Sequence, residues 1–268
     1  MTTIERPRAA GGPLGDVVML ARQIGYEQRI FWRNPQRAIF TFALPVVLLV
    51  VFGGLDRGGT ASSLGHINIE QYIIPSLLAY AVMNACFSNL AITLSLRRDS
   101  GILKRVRGTP LPLWAYFAGV VGSCVVVVAL VVAIALVVGA AAYHVHLPTK
   151  WLPFIVAVLL GTVVFCALGF AVAAIVPNAD AAPAVVNLPY LVLVIFSGTF
   201  YPIAMTSTLY KVIGFFPVVH FIRALFAPFD DVGHASPWAG HDLLVLALWG
   251  LAAVAFTLRR FRWEPNRT

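Results

Sequence analysis

The chain has 268 residues, of which 60% are hydrophobic and only 11% are charged. Soluble domains have about 45–50% apolar and about 25% charged residues, so a soluble fold of this size would lack the polar residues to cover its surface. Disordered chains are poor in apolar residues, and the same composition excludes them. The composition therefore predicts an integral membrane protein.

Six apolar runs follow one another along the chain. A membrane-spanning helix needs about 20 mostly apolar residues, whereas single strands rarely exceed about 10. The valine-rich third run shows none of the polar and apolar alternation of a membrane barrel. We therefore predict an all-α integral membrane fold with six transmembrane helices, at residues 38–55, 72–96, 113–143, 151–176, 184–203 and from 238 or 243 to 258.

The segment before the first span predicts a helix that lies on the membrane surface. Between Leu14 and Trp32 the apolar residues fall on one helical stripe, and the charged residues fall elsewhere. This pattern is typical of an interfacial amphipathic helix, and Pro35 disfavours helix at Asn34, which ends it before the first span. The stripe consists of Leu14, Val17, Val18, Ala21, Ile24, Phe31 and Trp32.

A shorter apolar piece lies between the fifth and sixth spans. Residues 212–222 are too few to cross a bilayer, and they include Pro217 and His220. Pieces of this length are often re-entrant or interfacial. We predict an outer re-entrant hairpin at residues 204–237, with an interfacial loop helix as the alternative.

The basic residues predict the orientation of the spans. Most of the 19 Lys and Arg residues lie before the first span, between the second and third spans, or after the sixth. Because Lys and Arg are enriched in cytoplasmic loops, both termini are expected in the cytoplasm. The net charge of +8 then reflects membrane topology, and no nucleic-acid partner is expected. The predicted domains are a cytoplasmic N-terminal region at 1–37, a transmembrane domain at 38–258 and a basic tail at 259–268.

The cores of the predicted spans contain no Asp, Glu, Lys, Arg or His. Proton- and ion-coupled carriers place such groups at membrane depth, and ATP binding would need a phosphate loop that is missing from the chain. We therefore expect no catalytic, cofactor-binding or metal-binding residues here. Cys86, Cys124 and Cys166 are interpreted as small apolar fillers of the spans, and His144 and His146 as solvated loop residues.

The loop at residues 97–112 carries a short basic segment framed by glycine and proline. Those residues are turn signals, and the sequence between them has room for about two helical turns. Ile102, Leu103 and Val106 would then share one face, while Lys104 and Arg105 point away. Such a helix would lie on anionic lipid or dock on a partner protein.

Several segments, taken in order, resemble one transporter family. The loop RRDSGILKRVRGTPLP is similar to the coupling-helix segment of type-2 ATP-binding-cassette (ABC) permeases, particularly the daunorubicin-resistance-like membrane subunits. Ile102 and Lys104 differ from the Thr and Glu of many members, and residues 207–210 lack a proline often found there. The other matching segments are FWRNP, ALPVVLLVVFG, FSGTFYPI, FFPVVHFIRAL and FRWEP.

The resemblance implies a complex of two six-span subunits, identical or related, with two ATPase chains in the bacterial plasma membrane. ATP and Mg would bind to the ATPase chains, and no cofactor is expected on this chain. The coupling helix would sit in a cleft of the ATPase, which the N-terminal amphipathic helix would also touch. The residues implied in coupling are Asp99, Gly101, Ile102, Leu103, Lys104, Arg105, Val106, Arg107 and Gly108.

The resemblance also implies that substrate passes along the subunit interface, lined mainly by spans two and five. Polar side chains at membrane depth have a plainer alternative role, since Asn and Ser often hydrogen-bond to a neighbouring helix. The substrate-path candidates are Tyr80, Asn84, Phe87 and Ser88 in span two, and Asn187, Tyr190, Val194, Ser197, Phe200 and Tyr201 in span five, the last two near the outer exit.

The function expected from these features is that of a permease subunit of an ABC exporter. It would move an amphipathic compound, such as a drug or a lipid, outward with ATP hydrolysed on the separate ATPase chain. One alternative is a polysaccharide or glycolipid exporter subunit. Another is a passive channel or a regulatory membrane protein, although a charged pore ring is missing.

Overall fold

The computed structural model describes residues 13–55, 60–61, 67–143, 147–196, 214–229, 236 and 238–261. These residues are almost entirely helical. The helices are α1 (Pro13–Trp32), α2 (Pro35–Leu55), α3 (Ile69–Met83), a π-helix (Asn84–Ser88), α4 (Asn89–Asp99), α5 (Ile102–Arg107), α6 (Leu113–Tyr143), α7 (Trp151–Ile175), α8 (Ala182–Phe196), α9 (Pro217–Phe226), a 3-10 turn (Ala227–Phe229) and α10 (Gly240–Arg260). A two-residue ladder pairs β1 (Thr60–Ala61) with β2 (Ile67–Asn68) in antiparallel register.

Four helices among the described residues are long and apolar enough to cross a bilayer. They are residues 74–99, 113–142, 151–175 and 240–260, which correspond to the predicted second, third, fourth and sixth spans. We call the first of these, formed by α3, the π-helix and α4, span two. The helix at Leu113–Tyr143 matches the predicted third span residue for residue. The all-α membrane fold follows from these helices.

The predicted first and fifth spans are only partly supported. The helix α2 reaches the span criterion only as a bent pair with α1, which would make a fifth crossing. The helix α8 has 15 residues, fewer than the roughly 20 that a span needs. The end of the predicted fifth span, from residue 197 onward, lies outside the described residues.

The helices α1 and α2 meet at a sharp corner, with an angle of 86° between them. Asn34 makes the corner, because its Oδ1 accepts a hydrogen bond from the backbone N–H of Arg37 at 3.2 Å and so caps the start of α2. Pro35 follows at the first helical position, where its missing N–H is harmless. If α2 crosses the membrane, this corner would lay α1 along the membrane plane, and the interfacial position of α1 stays a prediction.

The residues of the apolar stripe predicted for α1 differ in their exposure. Val17, Val18 and Trp32 are exposed, whereas Phe31 is buried. Part of the polar side of α1 faces the protein, since the Gln28 side chain donates to the backbone O and the Oγ of Ser123 on α6, whereas Asp16 and Arg22 are exposed. The side of α1 that packs on the protein is therefore neither purely apolar nor purely polar.

The helix α1 approaches α6 closely at two glycines. A Cβ on Gly119 would lie 2.2 Å from Cγ of Gln23, and one on Gly122 would lie 2.6 Å from Cδ1 of Ile24. Only glycine leaves room for the two helices at this distance. The small residues in α6 thus determine where α1 lies.

The predicted outer hairpin is described only in part. The helix α9 packs against α3, α7 and α10, and most of its residues are buried. The backbone N–H and Oγ–H of Thr149 both donate to the carbonyl of Pro228, at 3.1 Å each. Because α9 is mostly buried against these helices, it is packed within one end of the bundle. Of residues 204–237, the structure describes 214–229 and 236. The others lie outside the described residues, and the re-entrant path stays a prediction.

The ends of α4 and α10 and the start of α6 meet at one end of the bundle. The Arg97 guanidinium donates to the hydroxyl of Tyr116 at 3.2 Å, and the ring centroids of Phe117 and Phe261 lie 5.7 Å apart. We call this the basic end, because Arg97 and its neighbours up to Arg107 lie there. It is the end that the charge distribution predicts to be cytoplasmic.

Candidate functional site

The coupling segment begins at a glycine that turns the chain. Gly101 has a φ of +72°, in the left-handed region that side chains disfavour. Its backbone N–H donates to the carbonyl of Arg98, and the N–H of Ser100 donates to the carbonyl of Leu96. These bonds finish α4, as a left-handed residue commonly does after a helix. The turn redirects the chain at once into α5.

The helix α5 is held in place by one apolar side chain. Leu103 is fully buried within this chain, and Val106 is partly buried and packs against the same core. Both residues belong to the face that was expected to lie on lipid or dock on a partner. Leu103 is buried against its own chain, and its role in coupling stays a prediction. Since a helix of six residues is too short to be stable alone, its apolar side is used to attach it to its own subunit.

The outward side of α5 is mostly basic. Ile102 is 44% exposed, and Lys104, Arg105 and Arg107 are exposed as well. We call Lys104, Arg105 and Arg107 the basic face. The surface open to another protein therefore consists of three cations and one aliphatic side chain, with Gly108 exposed at its end.

An ion pair joins α1 to the end of span two. The Arg97 guanidinium donates to both carboxylate oxygens of Glu27, at 2.9 and 2.7 Å, and both side chains are nearly buried. Bidentate pairing of this kind is stronger and more directional than a single contact. The position of α4 is thus tied to the position of α1.

A second set of bonds joins span two to the end of α7. Arg98 is buried and donates to the carbonyls of Ala173, at 2.9 Å, and Val176. These are carbonyls at a helix C-terminus, where a cation is stabilising. The carboxylate of Asp99 accepts a hydrogen bond from the backbone N–H of Ala179 at 2.6 Å. Asp99, predicted as a coupling residue, is therefore engaged within this chain.

The substrate-path candidates of span two and α8 lie against each other. The Ser88 hydroxyl donates to Oδ1 of Asn187 at 2.7 Å. The ring of Tyr190 stacks on Phe87 with centroids 6.3 Å apart and lies 6.0 Å from the ring of Tyr80. The contact between the two helices is thus built from the predicted residues themselves, which supports the plainer role for Ser88 and Asn187.

The substrate-path candidates of span two and α8 also differ in how exposed their side chains are. Tyr80, Phe87, Ser88, Tyr190 and Val194 are buried between the helices. Asn187 is exposed and Asn84 is half-buried, so these two side chains have an open side. The candidates Ser197, Phe200 and Tyr201 lie outside the described residues.

An apolar groove of about 770 Å³ lies between α6 and α7. Its walls include Val132, Leu136, Phe154 and Val158, with Trp151 at one end. Aliphatic side chains of this kind suit an acyl chain or another apolar group. The groove adds an apolar surface that the sequence analysis did not single out.

The whole arrangement lies within a stretch that matches a known family. A family model described as ABC-2 type transporter matches residues 21–229. The chain belongs to the ABC-2 type transporter family. No curated protein gave a match.

The ABC-2 family gives the chain its general role. Its members are membrane components of transporters and are not catalytic, and they associate with an ABC ATPase in a bilayer. The matched stretch of this ABC-2 chain includes α5, the ion pair of Glu27 with Arg97, and the contact of span two with α8. The resemblance found in the sequence is confirmed at the level of this family.

Sequence reasoning missed two polar clusters of this ABC-2 chain. Glu27 was counted only among the residues that fall outside the apolar stripe of α1, and no pattern linked it to Arg97, 70 residues away. His220 is buried, with Nδ1 at 2.6 Å from Oδ1 of Asp242 and Nε2 at 2.7 Å from the carbonyl of Gly214. A histidine three residues after Pro217, inside an apolar piece, was the available signal for this second cluster.

Proposed function

We propose that the chain is the permease subunit of an ABC exporter that moves an amphipathic compound, drug-like or lipid-like, outward. A separate ATPase chain, present in two copies, binds ATP and Mg and hydrolyses the ATP. A second permease subunit, identical or homologous, completes the transporter in the bacterial plasma membrane. Membership of the ABC-2 family supports the general role, and the following contacts support the specific one.

The observation that carries the proposal is the attachment of α5. Its buried Leu103 holds the helix on the bundle, while its basic face and Ile102 remain exposed. A segment that transmits motion needs a firm joint on one side and an open surface on the other. The helix α5 has both, so we assign it the role of coupling helix, with Ile102, Lys104, Arg105 and Arg107 as the ATPase contacts.

Motion of α5 would reach several helices at once. Only Ser100 and Gly101 separate α5 from α4. The neighbouring residues Arg97, Arg98 and Asp99 bond to α1, to the end of α7 and to the loop before α8. We therefore propose that the closing of the ATPases tilts α1, span two and α7 together.

The path of the substrate is proposed along the exposed side of α8. Asn187, Leu188 and Leu191 are exposed there, next to the half-buried Asn84. A second permease subunit facing this side would enclose a passage of mixed polarity. The spans that border it carry no charge in their cores, which favours an amphipathic compound over an ion.

Reversal of the basic face tests the proposal. The chain is co-expressed with an ABC ATPase from the same organism, and co-purification and ATP-driven efflux of a fluorescent amphipathic dye are measured in vesicles. We expect the variant with Lys104, Arg105 and Arg107 replaced by Glu to lose both co-purification and efflux, because three negative charges then stand where the proposed ATPase contact uses three positive ones. A matched variant with Arg259 and Arg260 replaced by Glu should retain both. Normal efflux by the first variant would remove α5 from the coupling role.

A further inference from the structure

The three cysteines of the chain come together in the middle of the bundle. Cys86 lies in the π-helix, Cys124 in α6 and Cys166 in α7. Their sulfur atoms all lie within 4.8 Å of one another. Cys86 and Cys166 are fully buried, and Cys124 is half-buried. Since the chain has three cysteines, every thiol that it carries belongs to this cluster.

The backbone around the cluster brings the sulfur atoms together. Cys86 is the central residue of the π-helix Asn84–Ser88, and such segments are rare and occur frequently at functional sites. A Cβ on Gly169 would lie 2.8 Å from the carbonyl oxygen of Cys86, so α7 approaches the π-helix as closely as glycine allows. Cys166 lies three residues before Gly169, on the same side of α7, and therefore faces Cys86.

The spacing of the sulfur atoms suits a three-coordinate metal ion. Thiolates bind at about 2.3 Å from a metal such as zinc, which places three of them about 4 Å apart around a central ion. The described residues contribute only these three ligands to the group. Structural zinc takes four ligands in a tetrahedron, whereas soft thiolates without a fourth ligand favour Cu(I).

The charge of such a site has compensation nearby. Metal binding replaces the S–H protons, which are released to solvent, and thiolates at membrane depth would be costly without a cation. Arg37, Arg97 and Cys124 line one cavity of about 50 Å³ between α1, α2, α4 and α6. Three thiolates and one Cu(I) carry a net charge of −2. Glu27 already pairs with Arg97, so among the cavity residues the charge of Arg37 offsets one of these two negative charges.

The same cavity lies beside Cys124. Its wall includes the polar side chains of Thr41, Asn89 and Ser123 among mostly apolar residues, and its volume is large enough to hold water molecules. Arg97 at its edge lies at the basic end of the bundle, so the cavity lies between that end and Cys124.

We propose that Cys86, Cys124 and Cys166 form a binding site for one soft d10 metal ion of the Cu(I) and Ag(I) class. The bound ion links span two, α6 and α7 through three metal–sulfur bonds, with no change in the oxidation state of metal or sulfur. The site does not depend on the proposed transport function, since it lies within a single chain.

Direct measurement on the purified chain tests the site. The protein in detergent is titrated with Cu(I) under anaerobic, reducing conditions against a competing chelator, and the loaded protein is measured by X-ray absorption. We expect one Cu(I) per chain with three sulfur neighbours at about 2.3 Å. A first shell of nitrogen or oxygen atoms, or fewer than three sulfur atoms, would overturn the proposal without any variant.

Substitutions identify the ligands. Each of Cys86→Ser, Cys124→Ser and Cys166→Ser should weaken Cu(I) binding by more than the roughly 10–100-fold that loss of an outer-shell partner costs. Ser88→Ala is the matched control, because it removes a buried hydroxyl from the same π-helix without removing sulfur, and it should retain the affinity. Unchanged Cu(I) binding in the chain lacking all three cysteines would contradict the assignment.

Discussion

Glu27 and Arg97 form a bidentate ion pair, with 2.9 and 2.7 Å between guanidinium and carboxylate, that fastens α1 to the end of span two. Removing one member of a buried pair leaves an uncompensated charge and costs about 3–5 kcal/mol. Glu27→Leu should therefore lower the free energy of unfolding of the detergent-solubilised chain by that amount.

Two further variants check the explanation. Glu27→Leu combined with Arg97→Met removes both charges, so it should be less destabilised than Glu27→Leu alone. Asp16→Asn changes an exposed carboxylate of the same helix and should have almost no effect. Equal stability of the single and double variants would mean that the pair does not bind α1 to span two.

Leu103 and its neighbour Ile102 provide a contrast between anchoring and docking. Leu103→Ala removes a fully buried side chain and should cost about 2–5 kcal/mol of stability. Ile102→Ala changes an exposed residue and should stay within about 0.5 kcal/mol, while it reduces co-purification with the ATPase. Thermal unfolding and co-purification are measured on both variants, and the reverse pattern would refute the orientation of α5.

Gly101 and Gly108 flank α5 and differ in backbone conformation. Gly101 has a φ of +72°, whereas Gly108 has a φ of −79°. A left-handed conformation costs an alanine roughly 1–2 kcal/mol, so Gly101→Ala should destabilise the chain by about that amount. Gly108→Ala places a side chain in an ordinary helical conformation and should be nearly neutral. Equal melting temperatures for the two variants would contradict the role of Gly101 as a turn.

His220 donates from both ring nitrogens if Asp242 and the carbonyl of Gly214 are both to be satisfied. Asp242→Asn replaces the charged acceptor of this buried ring and should cost about 1–3 kcal/mol. The loss should appear as faster proteolysis near α9 and a lower melting temperature. His241 is exposed, with Nδ1 3.9 Å from the same carboxylate, and His241→Gln should lower the melting temperature much less than Asp242→Asn. A melting temperature unchanged by Asp242→Asn would show that the pair does not hold α9.

The predicted orientation is tested by single cysteines at the two ends and in the first outer loop. Thr3→Cys and Asn266→Cys should resist a membrane-impermeant thiol reagent in intact cells, whereas Ser62→Cys should react, because basic segments stay in the cytoplasm. Permeabilised cells provide the control in which all three positions react. Labelling of the Thr3 position in intact cells would reverse the topology.

The sequence predicts the helices better than it predicts what their faces contact. The third span is found at its full length because 31 consecutive residues without a charged side chain leave no alternative, and Asn34 with Pro35 marks the corner because both act locally. The face shared by Leu103 and Val106 was also predicted. Helical periodicity says which residues share a face, but the partner of that face depends on packing between distant segments, and so periodicity alone did not reveal that Leu103 is buried against its own chain.

The clusters were harder to foresee for the same reason. Cys86, Cys124 and Cys166 are separated by about 40 residues each and form no local motif. Their approach depends on Gly169 and on the π-helix, neither of which the hydrophobic pattern reveals. Likewise, Glu27 was counted only as a residue outside the apolar stripe of α1, because the pattern alone gives no sign of a buried cation on another element.

The π-helix gives span two one extra residue in its winding. Because an α-helix advances about 100° per residue, the side chains before Asn84 are rotated by that angle relative to those after Ser88, compared with an uninterrupted helix. Deleting one residue from this segment would restore regular winding and turn α3, with Tyr80, away from its present neighbours. The helix α4 would keep Arg97 and Arg98 in place. The two halves of span two are thus set in different rotational phases by a single inserted residue.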